Sequence, residues 1–443
     1  MSFTLQLVFT ALLAAASVCT ADDDDGGQHW ALLVAGSNTY SNYRHQADIC
    51  HAYHIISKNG IPDERIIVMM YDDIAHSPDN PYPGNIINEP NGTNVYPGVL
   101  KDYTKEEVTP DIFIKVLTGD AEGVEATLGR PGKVIKSGPN DRIFVNFADH
   151  GGPGILAFPS DLLHVVDFHD AIRKMHKKKM YKQLVFYVEA CESGSMFYNF
   201  TKPMSEMNVY ATTAANRSES SFACYFDDDR GTFLGDYYSV NWMQDSDQEN
   251  LKRETLEEQF KLVKKETLKS HVMEFGNMDI SKLPVGDFQG TLDSSPLRFV
   301  PRRTAPNPGL DAVPSEDVPI EILYRKIAKA EGVEREQLKD KLHKLLQRKD
   351  ATEDFFKKVS STFFDKAWYE HFLYKPVEFT DYRCYRESLS LIMNLCPAMN
   401  LTQNDFALRK LRVLANICEE NVAPETMWRA ISKVISEADI CIN

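Results

Sequence analysis

The sequence has little of what a membrane protein needs. Beyond residue 21, no stretch approaches the roughly 18–20 consecutive apolar residues of a transmembrane helix. The C-terminus has no hydrophobic tail, so the signal for a lipid anchor is also missing. These absences predict a protein without a membrane span.

An excess of basic residues is absent as well. Lysine and arginine number 49 against 64 aspartate and glutamate residues, which gives a formal net charge of −15. Because nucleic-acid binding needs a basic face, this balance argues against a nucleic acid as the main partner. Hydrophobic residues make up 43% of the chain, which is enough for a sizeable core and argues against wholesale disorder.

Two chemical signatures are missing too. No C-x-x-C pair occurs, which argues against a zinc site, and we expect no metal and no cofactor. No Gly-x-Ser-x-Gly elbow occurs, which argues against a serine esterase that would use a His-Gly-Gly segment as its oxyanion loop. Neither absence excludes chemistry based on a cysteine.

Residues 1–21 form a short apolar segment that ends in small residues, which predicts a secretory signal peptide cut near Ala21. A buried N-terminal helix is the alternative interpretation. On the secretory route, four N-x-[ST] sequons become candidates for glycosylation. They are Asn91, Asn199, Asn216 and Asn400. The predicted localisation is the secretory pathway, with retention in lysosomes or other acidic vesicles and release from the cell both open.

The cysteines are unevenly distributed. Four lie in the last sixty residues, and this even cluster predicts two disulfides, with three pairings open. These four are Cys384, Cys396, Cys418 and Cys441. Once Cys19 has left with the signal peptide, an odd number remains in the front part, which indicates a free and reactive thiol. The remaining three are Cys50, Cys191 and Cys224.

Strand and helix signals alternate along the first 290 residues. Short apolar runs predict buried strands at 30–36, 65–71, 142–147, 183–188 and 208–213. Helical patterns lie between them at 44–58, 111–117 and 168–178. Continuous apolar strands separated by helices are typical of an α/β fold with a mainly parallel sheet that is buried on both faces. In such sheets, functional groups collect at the carboxyl edge.

The composition changes after residue 290. Residues 291–319 contain six prolines, which exclude a helix or a central strand and predict an extended, exposed linker. Residues 320–443 place apolar side chains at helical spacing and predict a separate all-α domain joined by disulfides. The predicted organisation is therefore a signal peptide over 1–21, an α/β domain over 22–290, the linker, and the helical domain.

Two of the predicted strands end on reactive side chains. RIFVNFADHGG ends with His150 and two glycines, and QLVFYVEACESGS ends with Cys191. Taken alone, such a histidine is more often a polar cap, and such a cysteine a small core residue. At neighbouring strand ends, the pair predicts a thiol that loses its proton to His150. The N–H groups of Gly151 and Cys191 would bind the oxyanion, and a helix beginning after Cys191 would favour the thiolate.

These motifs resemble those of the asparaginyl endopeptidases, the legumain family. The resemblance rests on ADHGGPG, EACESGS, SNYRHQADICHAY, YATTAAN and GDYYSVNW, and it extends from the signal peptide to the cysteine-bearing tail. It implies a caspase-like α/β/α sandwich and a cysteine endopeptidase that cuts after Asn, and after Asp at acid pH. Protein and peptide substrates, cystatin-type inhibitors and the absence of a cofactor are also implied.

The resemblance implies roles for individual residues. Cys191 matches the nucleophile, His150 its general base, and Asn42 the residue whose side-chain carbonyl orients the imidazole. The S1 pocket, which receives the side chain before the cut bond, corresponds to Arg44, His45, Glu189, Ser221 and Asp236. Together these offer donors and acceptors to a carboxamide. Asp149 matches an aspartate that in relatives can cyclise to a succinimide and is linked to a peptide-ligase side activity.

The helical tail resembles a prodomain that covers the active site as an intramolecular inhibitor until acid loosens it. The implied disulfides are Cys384–Cys418 and Cys396–Cys441. We expect ion pairs between the domains, whose carboxylates lose their charge at low pH and release the tail.

One departure from the family concerns maturation. Many relatives process themselves at an Asn near the junction of linker and tail, but no Asn occurs between Asn307 and Asn394. Asn307, Asp311, Asp317 and cleavage by another protease remain as alternatives. Two other functions also stay open on this fold. One is a transamidase like the enzyme that attaches GPI anchors, and the other is a catalytically silent pseudoprotease.

Overall fold

The computed structural model describes residues 26–291, 306–380 and 382–442. The predicted signal peptide with its cut near Ala21, and the linker between 292 and 305, lie outside the described residues. The strands are β1 (His29–Ala35), β2 (Ile66–Met69), β3 (Arg142–Ala148), β4 (Gly151–Gly152), β5 (Ile155–Ala157), β6 (Leu162–His164), β7 (Gln183–Glu189), β8 (Val209–Thr213), β9 (Phe222–Asp227), β10 (Thr232–Asp236), β11 (Met273–Gly276) and β12 (Val313–Pro314).

The α-helices occupy the segments between these strands and nearly all of the C-terminal region. They are α1 (Tyr43–Lys58), α2 (Pro110–Leu117), α3 (Ala121–Leu128), α4 (Val165–Lys177), α5 (Thr201–Glu206), α6 (Tyr237–Gln248), α7 (Leu256–Glu266), α8 (Gly286–Gln289), α9 (Val318–Lys329), α10 (Gly332–Ser361), α11 (Ala367–Tyr374), α12 (Tyr382–Leu395), α13 (Asp405–Glu419), α14 (Pro424–Glu437) and α15 (Asp439–Ile442). Within the described ranges, no helix is both long enough and apolar enough to span a membrane.

The central sheet has six strands in the order β11-β8-β7-β3-β1-β2. Five of them are parallel, and only the edge strand β11 runs antiparallel to its neighbour. Alternate side chains point to opposite faces, so Leu33 joins the core beneath α1, α6 and α7, whereas Leu32 and Val34 join the core beneath α2 to α5. The predicted α/β/α sandwich with a mainly parallel sheet is confirmed.

Local sequence explains where two of the helices begin. Thr109 caps α2 by accepting a hydrogen bond from the backbone N–H of Ile112, and Pro110 occupies the first helical position, where no N–H is needed. Thr255 and Glu258 form a reciprocal capping box at the start of α7. These caps satisfy N–H groups that a helix leaves without partners at its first turn.

Two small sheets, which the sequence pattern did not predict, flank the central one. Strands β4, β5 and β6 form an antiparallel sheet directly after His150, and β9 lies between β10 and β12 in the other. The described part of the linker therefore pairs with β9 and leaves Ser315 buried. The expectation of an exposed spacer is wrong for this part, because prolines exclude central strands but are tolerated on edge strands.

The C-terminal region, from α9 to α15, is helical as predicted. Disulfides Cys384–Cys418 and Cys396–Cys441 close it, and these are the pairs that the resemblance implied. Its core includes Ile155, Ala157 and Leu162 from β5 and β6. The helical region is thus packed directly against the segment that follows His150.

Candidate active site

The carboxyl ends of β3 and β7 lie side by side, since Ala148 pairs with Glu189 in parallel register. His150 and Cys191 each follow two residues later. The backbone at Gly151 approaches the carbonyl oxygen of Cys191 so closely that a Cβ at position 151 would collide with it. His150 and Cys191 both line one cavity of about 10 Å³, which has room for about one water molecule. The structure thus brings the two residues to one edge of the sheet.

Both ring nitrogens of His150 have partners. Nε2 lies 3.0 Å from Oδ1 of Asn42, which belongs to a 3-10 helix just before α1. Nδ1 lies 3.0 Å from Oδ1 of Asp405, the first residue of α13. The contact expected for Asn42 is therefore present. Asp405 was not singled out from the sequence, because nothing in the sequence places α13 over the end of β3.

The sulfur of Cys191 lies against Ser221, 3.4 Å from its backbone nitrogen and 3.8 Å from its hydroxyl. Burial raises the pKa of the Cys191 thiol to about 12, with Glu316 as a further cause. Burial also lowers the pKa of His150 well below its usual value, and the Arg44 guanidinium adds to this effect. In this state of the chain, with the helical region packed over the site, burial therefore disfavours both the imidazolium and the reactive thiolate.

The expected helix after Cys191 is not present. Only a 3-10 helix, Ser193–Met196, follows the cysteine. Glu192 adopts φ 54°, in the left-handed region, which prevents an α-helix from starting at Cys191. Thiolate stabilisation by an α-helix N-terminus is therefore absent.

All five residues expected in S1, namely Arg44, His45, Glu189, Ser221 and Asp236, are buried. The Nε of Arg44 donates to Oδ1 of Asp236 at 2.8 Å, and Nε2 of His45 lies 3.6 Å from Oδ2 of the same aspartate. Oε2 of Glu189 accepts hydrogen bonds from the backbone and hydroxyl of Ser239 at 3.0 and 3.1 Å. Burial raises the pKa of Glu189 and of Asp236, and Arg44 partly offsets the shift at Asp236.

Three polar atoms of this group have no hydrogen-bond partner among the described residues. They are Nη2 of Arg44, Oδ2 of Asp236 and Oε1 of Glu189. A buried polar atom without a partner is unfavourable by about 1–3 kcal/mol. One donor and two acceptors therefore remain for a ligand with one acceptor oxygen and two N–H groups.

Asp48 is a further member of this buried group, which the sequence analysis missed. Its Oδ2 accepts a hydrogen bond from the backbone N–H of Asp236 at 3.3 Å, and its Oδ1 accepts from the side-chain amide of Asn88 at 2.6 Å. Burial raises the pKa of Asp48, and the neighbouring Asp236 charge adds to the rise. Its position four residues after Arg44, on the same face of α1, was the signal available in the sequence.

Asp149 lies between the two imidazoles. Its Oδ1 is 3.4 Å from Nδ1 of His45 and 3.9 Å from Nε2 of His150. Neither of its oxygens accepts a hydrogen bond from a described residue, although the side chain is almost fully buried. Burial raises the pKa of this carboxyl well above its ordinary range.

The linker and α13 close the cavity over Cys191. Ser315 donates its backbone N–H to the carbonyl of Ser221 at 3.0 Å, which extends the pairing of β12 with β9. The cavity is otherwise closed by Glu316, Asp405, Leu408 and Arg409. The closed chain therefore leaves no room for a substrate at Cys191.

The expected ion pairs between the domains are present. Nη2 of Arg412 lies 2.5 Å from Oε1 of Glu192, in a fully buried contact. Nη1 of Arg386 lies 2.9 Å from Oδ1 of Asp167. Arg217 and Glu378 form an additional pair between the domains, and Arg409 of the helical domain pairs with Glu316 of the linker.

The remaining site predictions concern the free cysteines and the glycosylation sequons. Cys50 and Cys224 are buried free thiols, whereas Cys191 is partly accessible. The sequon residues Asn91, Asn199 and Asn400 are exposed, and Asn216 is half-buried in the loop beside Cys191. Glycosylation at these four positions stays a prediction.

Known proteins provide an independent comparison. The model of the family described as Peptidase C13 matches residues 29–291. Legumain from Mus musculus is 48% identical over 442 residues, covering 98% of this chain and 99% of that protein. Legumain from Homo sapiens is 48% identical over 424 residues, with 95% and 96% covered. The vacuolar-processing enzyme delta-isozyme from Arabidopsis thaliana is 40% identical over 452 residues, with 96% and 94% covered.

Among solved structures, caspase-1 from Spodoptera frugiperda aligns with a TM-score of 0.34 at 10% sequence identity. The alignment covers 61% of this chain and 92% of that chain.

Proposed function

Because the chain belongs to the peptidase C13 family and is a cysteine endopeptidase of the asparaginyl endopeptidase kind, we propose that it cuts peptide bonds after Asn, using Cys191 and His150. The observation that supports this specificity is the set of three unpartnered atoms on Arg44, Asp236 and Glu189. The Arg44 donor suits the carbonyl oxygen of an Asn side chain. The two carboxylate oxygens suit its two N–H groups.

The same pocket accounts for cleavage after Asp at acid pH. An ionised Asp side chain of the substrate would place its carboxylate oxygens against the carboxylate oxygens of Asp236 and Glu189. Such a contact between hydrogen-bond acceptors is unfavourable in a buried site. A protonated Asp has one O–H donor and one carbonyl acceptor, so it resembles Asn. Cleavage after Asp should therefore increase as the pH falls, whereas cleavage after Asn should not need that proton.

The chemistry follows from the placement of His150. Asn42 accepts the Nε2–H, so Nδ1 is the nitrogen that takes the proton of Cys191. The thiolate attacks the carbonyl carbon, while the N–H groups of Gly151 and Cys191 bind the oxyanion. His150 then protonates the leaving amine, and water hydrolyses the thioester. Attack by another amine in place of water would give the ligase side activity, and succinimide formation at Asp149 stays a prediction.

In the proform, the helical region acts as an intramolecular inhibitor. The carboxylate of Asp405 contacts Nδ1 of His150, the atom that must receive the proton of Cys191. Strand β12 pairs with the edge of β9. An extended substrate would bind by adding a strand to that same edge. Ser315 and Glu316, rather than an Asn, lie at Cys191 in this state. Self-processing at Asn307, Asp311 or Asp317 therefore requires either that the linker first leaves this position or that a second molecule cuts it, and cleavage by another protease stays an alternative.

A comparison of peptides tests the proposed specificity. Four peptides that differ only in the residue before the cut bond (Asn, Asp, Gln or Ala) are incubated with acid-processed protein between about pH 4 and pH 7. We expect the Asn peptide to be cut at least about a hundredfold faster than the Gln and Ala peptides, because those leave pocket groups unpaired. Cleavage of the Asp peptide should increase toward low pH. Equal cleavage of all four peptides would overturn the specificity.

Glu192 does not account for acid loosening of the tail. Burial raises its pKa to about 7, although Arg412 acts in the opposite direction. A carboxyl with a raised pKa in the closed chain binds its proton more readily there than in the opened chain. As the pH falls below about 7, this group therefore favours closure. Protonation of Glu192 thus favours the closed chain, whereas the expectation was that protonation of carboxylates releases the tail.

His164 has the sign that acid loosening needs. It ends β6 and lies against α12, with Nδ1 3.4 Å from the hydroxyl of Tyr382. Burial lowers its pKa to about 4, and the charge of Arg386 on α12 adds to this, whereas Asp167 on α4 opposes it. The opened chain would expose the ring at its ordinary pKa of about 6.5. A fall in pH from about 6.5 to about 4 therefore favours opening, by up to about 3 kcal/mol.

Replacement of His164 by asparagine should shift the opening of the tail to lower pH. The reason is that the variant has no group at this position that gains a proton on opening. The measurement is the pH midpoint at which the proform begins to cut a peptide, with tail dissociation followed in parallel by size-exclusion chromatography. His343→Asn, which changes an exposed histidine of α10, is the matched control. An unchanged midpoint in His164→Asn would refute this role. Such acid dependence would suit an acidic compartment of the secretory pathway.

A further inference from the structure

We propose that His45, Asp149 and His150 form a binding site for a divalent cation of the zinc class. These are the three residues of the described chain whose ligand atoms cluster within 4.8 Å of one another, and all three are buried. Sequence patterns did not predict a metal, because His45 lies more than a hundred positions from the other two. Binding at this site does not depend on the proposed peptidase mechanism, although its effect on activity does.

The distances between the donors suit a small cation. Oδ1 of Asp149 lies 3.4 Å from Nδ1 of His45 and 3.9 Å from Nε2 of His150. Around a tetrahedral zinc with bonds of about 2.0–2.2 Å, neighbouring ligand atoms are about 3.4 Å apart. Because the three ligand atoms lie within 4.8 Å of one another, the two imidazoles would have to move toward each other to complete the set. Oδ1 of Asn42, 3.0 Å from Nε2 of His150, is close enough to supply or hold the fourth ligand.

Asp149 is the observation that indicates a ligand. Its side chain is about 1% exposed, yet neither oxygen accepts a hydrogen bond from a described residue. The missing side chain of Gly36 makes room for it, since a Cβ there would lie 2.6 Å from Oδ2 of Asp149. Buried carboxyls without partners are rare and unfavourable, and an unseen ion is one of their recognised explanations. A cation between the imidazoles would satisfy this carboxylate.

The surroundings of His150 match those of a metal ligand. A ligating imidazole usually donates its second ring N–H to a carboxylate, which fixes the tautomer. The second nitrogen of His45 lies 3.6 Å from Oδ2 of Asp236, and that of His150 lies 3.0 Å from Oδ1 of Asp405. Only the contact between His150 and Asp405 is within hydrogen-bonding distance, so Asp405 holds the second nitrogen of His150 as the carboxylate partner of a ligating imidazole does. Asp236 is a more distant neighbour of His45.

The positive charge of Arg44 does not exclude the cation. Its guanidinium is paired with Asp236 at 2.8 Å, so the local charge is balanced before Asp149 and Asp405 are counted. Binding would replace two existing contacts. These are the 2.7 Å contact between the Ser37 hydroxyl and Nδ1 of His45, and the contact of Asn42 with His150. The groups that lose these contacts are the Ser37 hydroxyl and the Asn42 side-chain carbonyl, and their oxygen atoms remain beside the cation.

The effect on catalysis follows from the ligated nitrogen. A dication on Nε2 makes Nδ1 a much weaker base and displaces the Asn42 carbonyl that orients the ring. His150 would then no longer take the proton of Cys191. Because Asp405 belongs to α13, the closed chain provides the more complete site, so the metal should also hold the tail in place.

The test must separate this site from a thiolate site, because zinc also binds cysteine. Full-length Cys191→Ala protein is titrated with Zn²⁺ by calorimetry and with Co²⁺ by absorption spectroscopy. We expect one equivalent bound with an affinity within about threefold of the unchanged chain, and a cobalt spectrum without a sulfur charge-transfer band. Asp149→Asn and His45→Gln should each weaken binding by at least about tenfold. His51→Gln is the matched control, because it removes another α1 histidine that contacts a carboxylate, Asp247.

Three results of the binding measurements would overturn the proposal. They are no stoichiometric binding, loss of binding in Cys191→Ala, and unchanged affinity in both Asp149→Asn and His45→Gln. Circular dichroism establishes that each variant is folded, and having two ligand variants keeps the test valid if one of them is not. Intact mass shows whether Asp149 has lost water, and a dehydrated chain that still binds Zn²⁺ equally well would also contradict the site. Because Cys191→Ala is inactive under the proposed mechanism, failure here leaves the peptidase proposal unaffected.

Discussion

Replacement of Cys191 by alanine is expected to abolish peptide hydrolysis, with a loss of kcat/KM on the order of 10⁵-fold or more. The variant has no thiolate, so no thioester forms. Binding in S1 and the oxyanion contacts remain, and they alone give only a small residual rate. The measurement is hydrolysis of an Asn peptide by tail-free protein, with binding of that peptide measured separately.

Cys50→Ala is the matched control for this substitution. Cys50 is also a free thiol, but it is buried in α1, where its sulfur lies 4.0 Å from the sulfur of Met70. Its replacement should leave activity within about twofold, with only a modest loss of stability because few atoms are removed. Retained activity in Cys191→Ala would contradict the assignment, and so would an equal loss in both variants.

Replacement of Arg44 by glutamine is expected to remove the preference for Asn. The substitution deletes the donor Nη2 and leaves Asp236 without its cation, so an Asn side chain loses its oxygen contact and meets excess acceptors. A site that hydrogen-bonds its substrate discriminates by about 10⁴–10⁵ against analogues without the bonds. We therefore expect kcat/KM for the Asn peptide to fall by on the order of 10³-fold. Cleavage of the Ala peptide should change far less.

The ratio between the Asn and Ala peptides separates this effect from misfolding. Removing one partner of a buried ion pair is unfavourable by about 3–5 kcal/mol, so the variant will be less stable. Unfolding would lower both rates equally and leave their ratio unchanged. Arg230→Gln, which removes a buried arginine bound to Asn85 away from S1, is the control for stability. An unchanged ratio in Arg44→Gln would contradict the proposed pocket.

Much of the fold could be predicted because its signals are local. The five parallel strands are continuous apolar runs, since helices bury both of their faces. Their ends then place His150 and Cys191 correctly, because parallel strands share one carboxyl edge. The tail could be recognised as helical from its spacing. The hairpin after His150 was missed because its strands have only two or three residues and β4 consists of two glycines. The sheet around β9 was missed although β9 and β10 have six and five residues.

The parts that could not be predicted depend on contacts between distant segments. Asp405 lies 255 positions after His150, and only the docking of α13 brings its carboxylate to the ring. β12 looked like a spacer because prolines exclude central strands, yet the free edge of β9 accepts it. Burial raises the pKa of Glu192, and the sequence does not show that burial. It shows only an acidic residue beside Cys191, from which one could not infer that protonation of Glu192 favours closure.

The most direct test is to trap the covalent step. Acid-processed protein is incubated with two short peptides that carry a thiol-reactive group in place of the cut bond, one ending in Asn and the other in Ala. Mass spectrometry of the digested protein then locates the adduct. The account predicts one equivalent of the Asn probe on Cys191, much slower labelling by the Ala probe, and no label on Cys50 or Cys224. Labelling at another residue, or equal labelling by both probes, would contradict it.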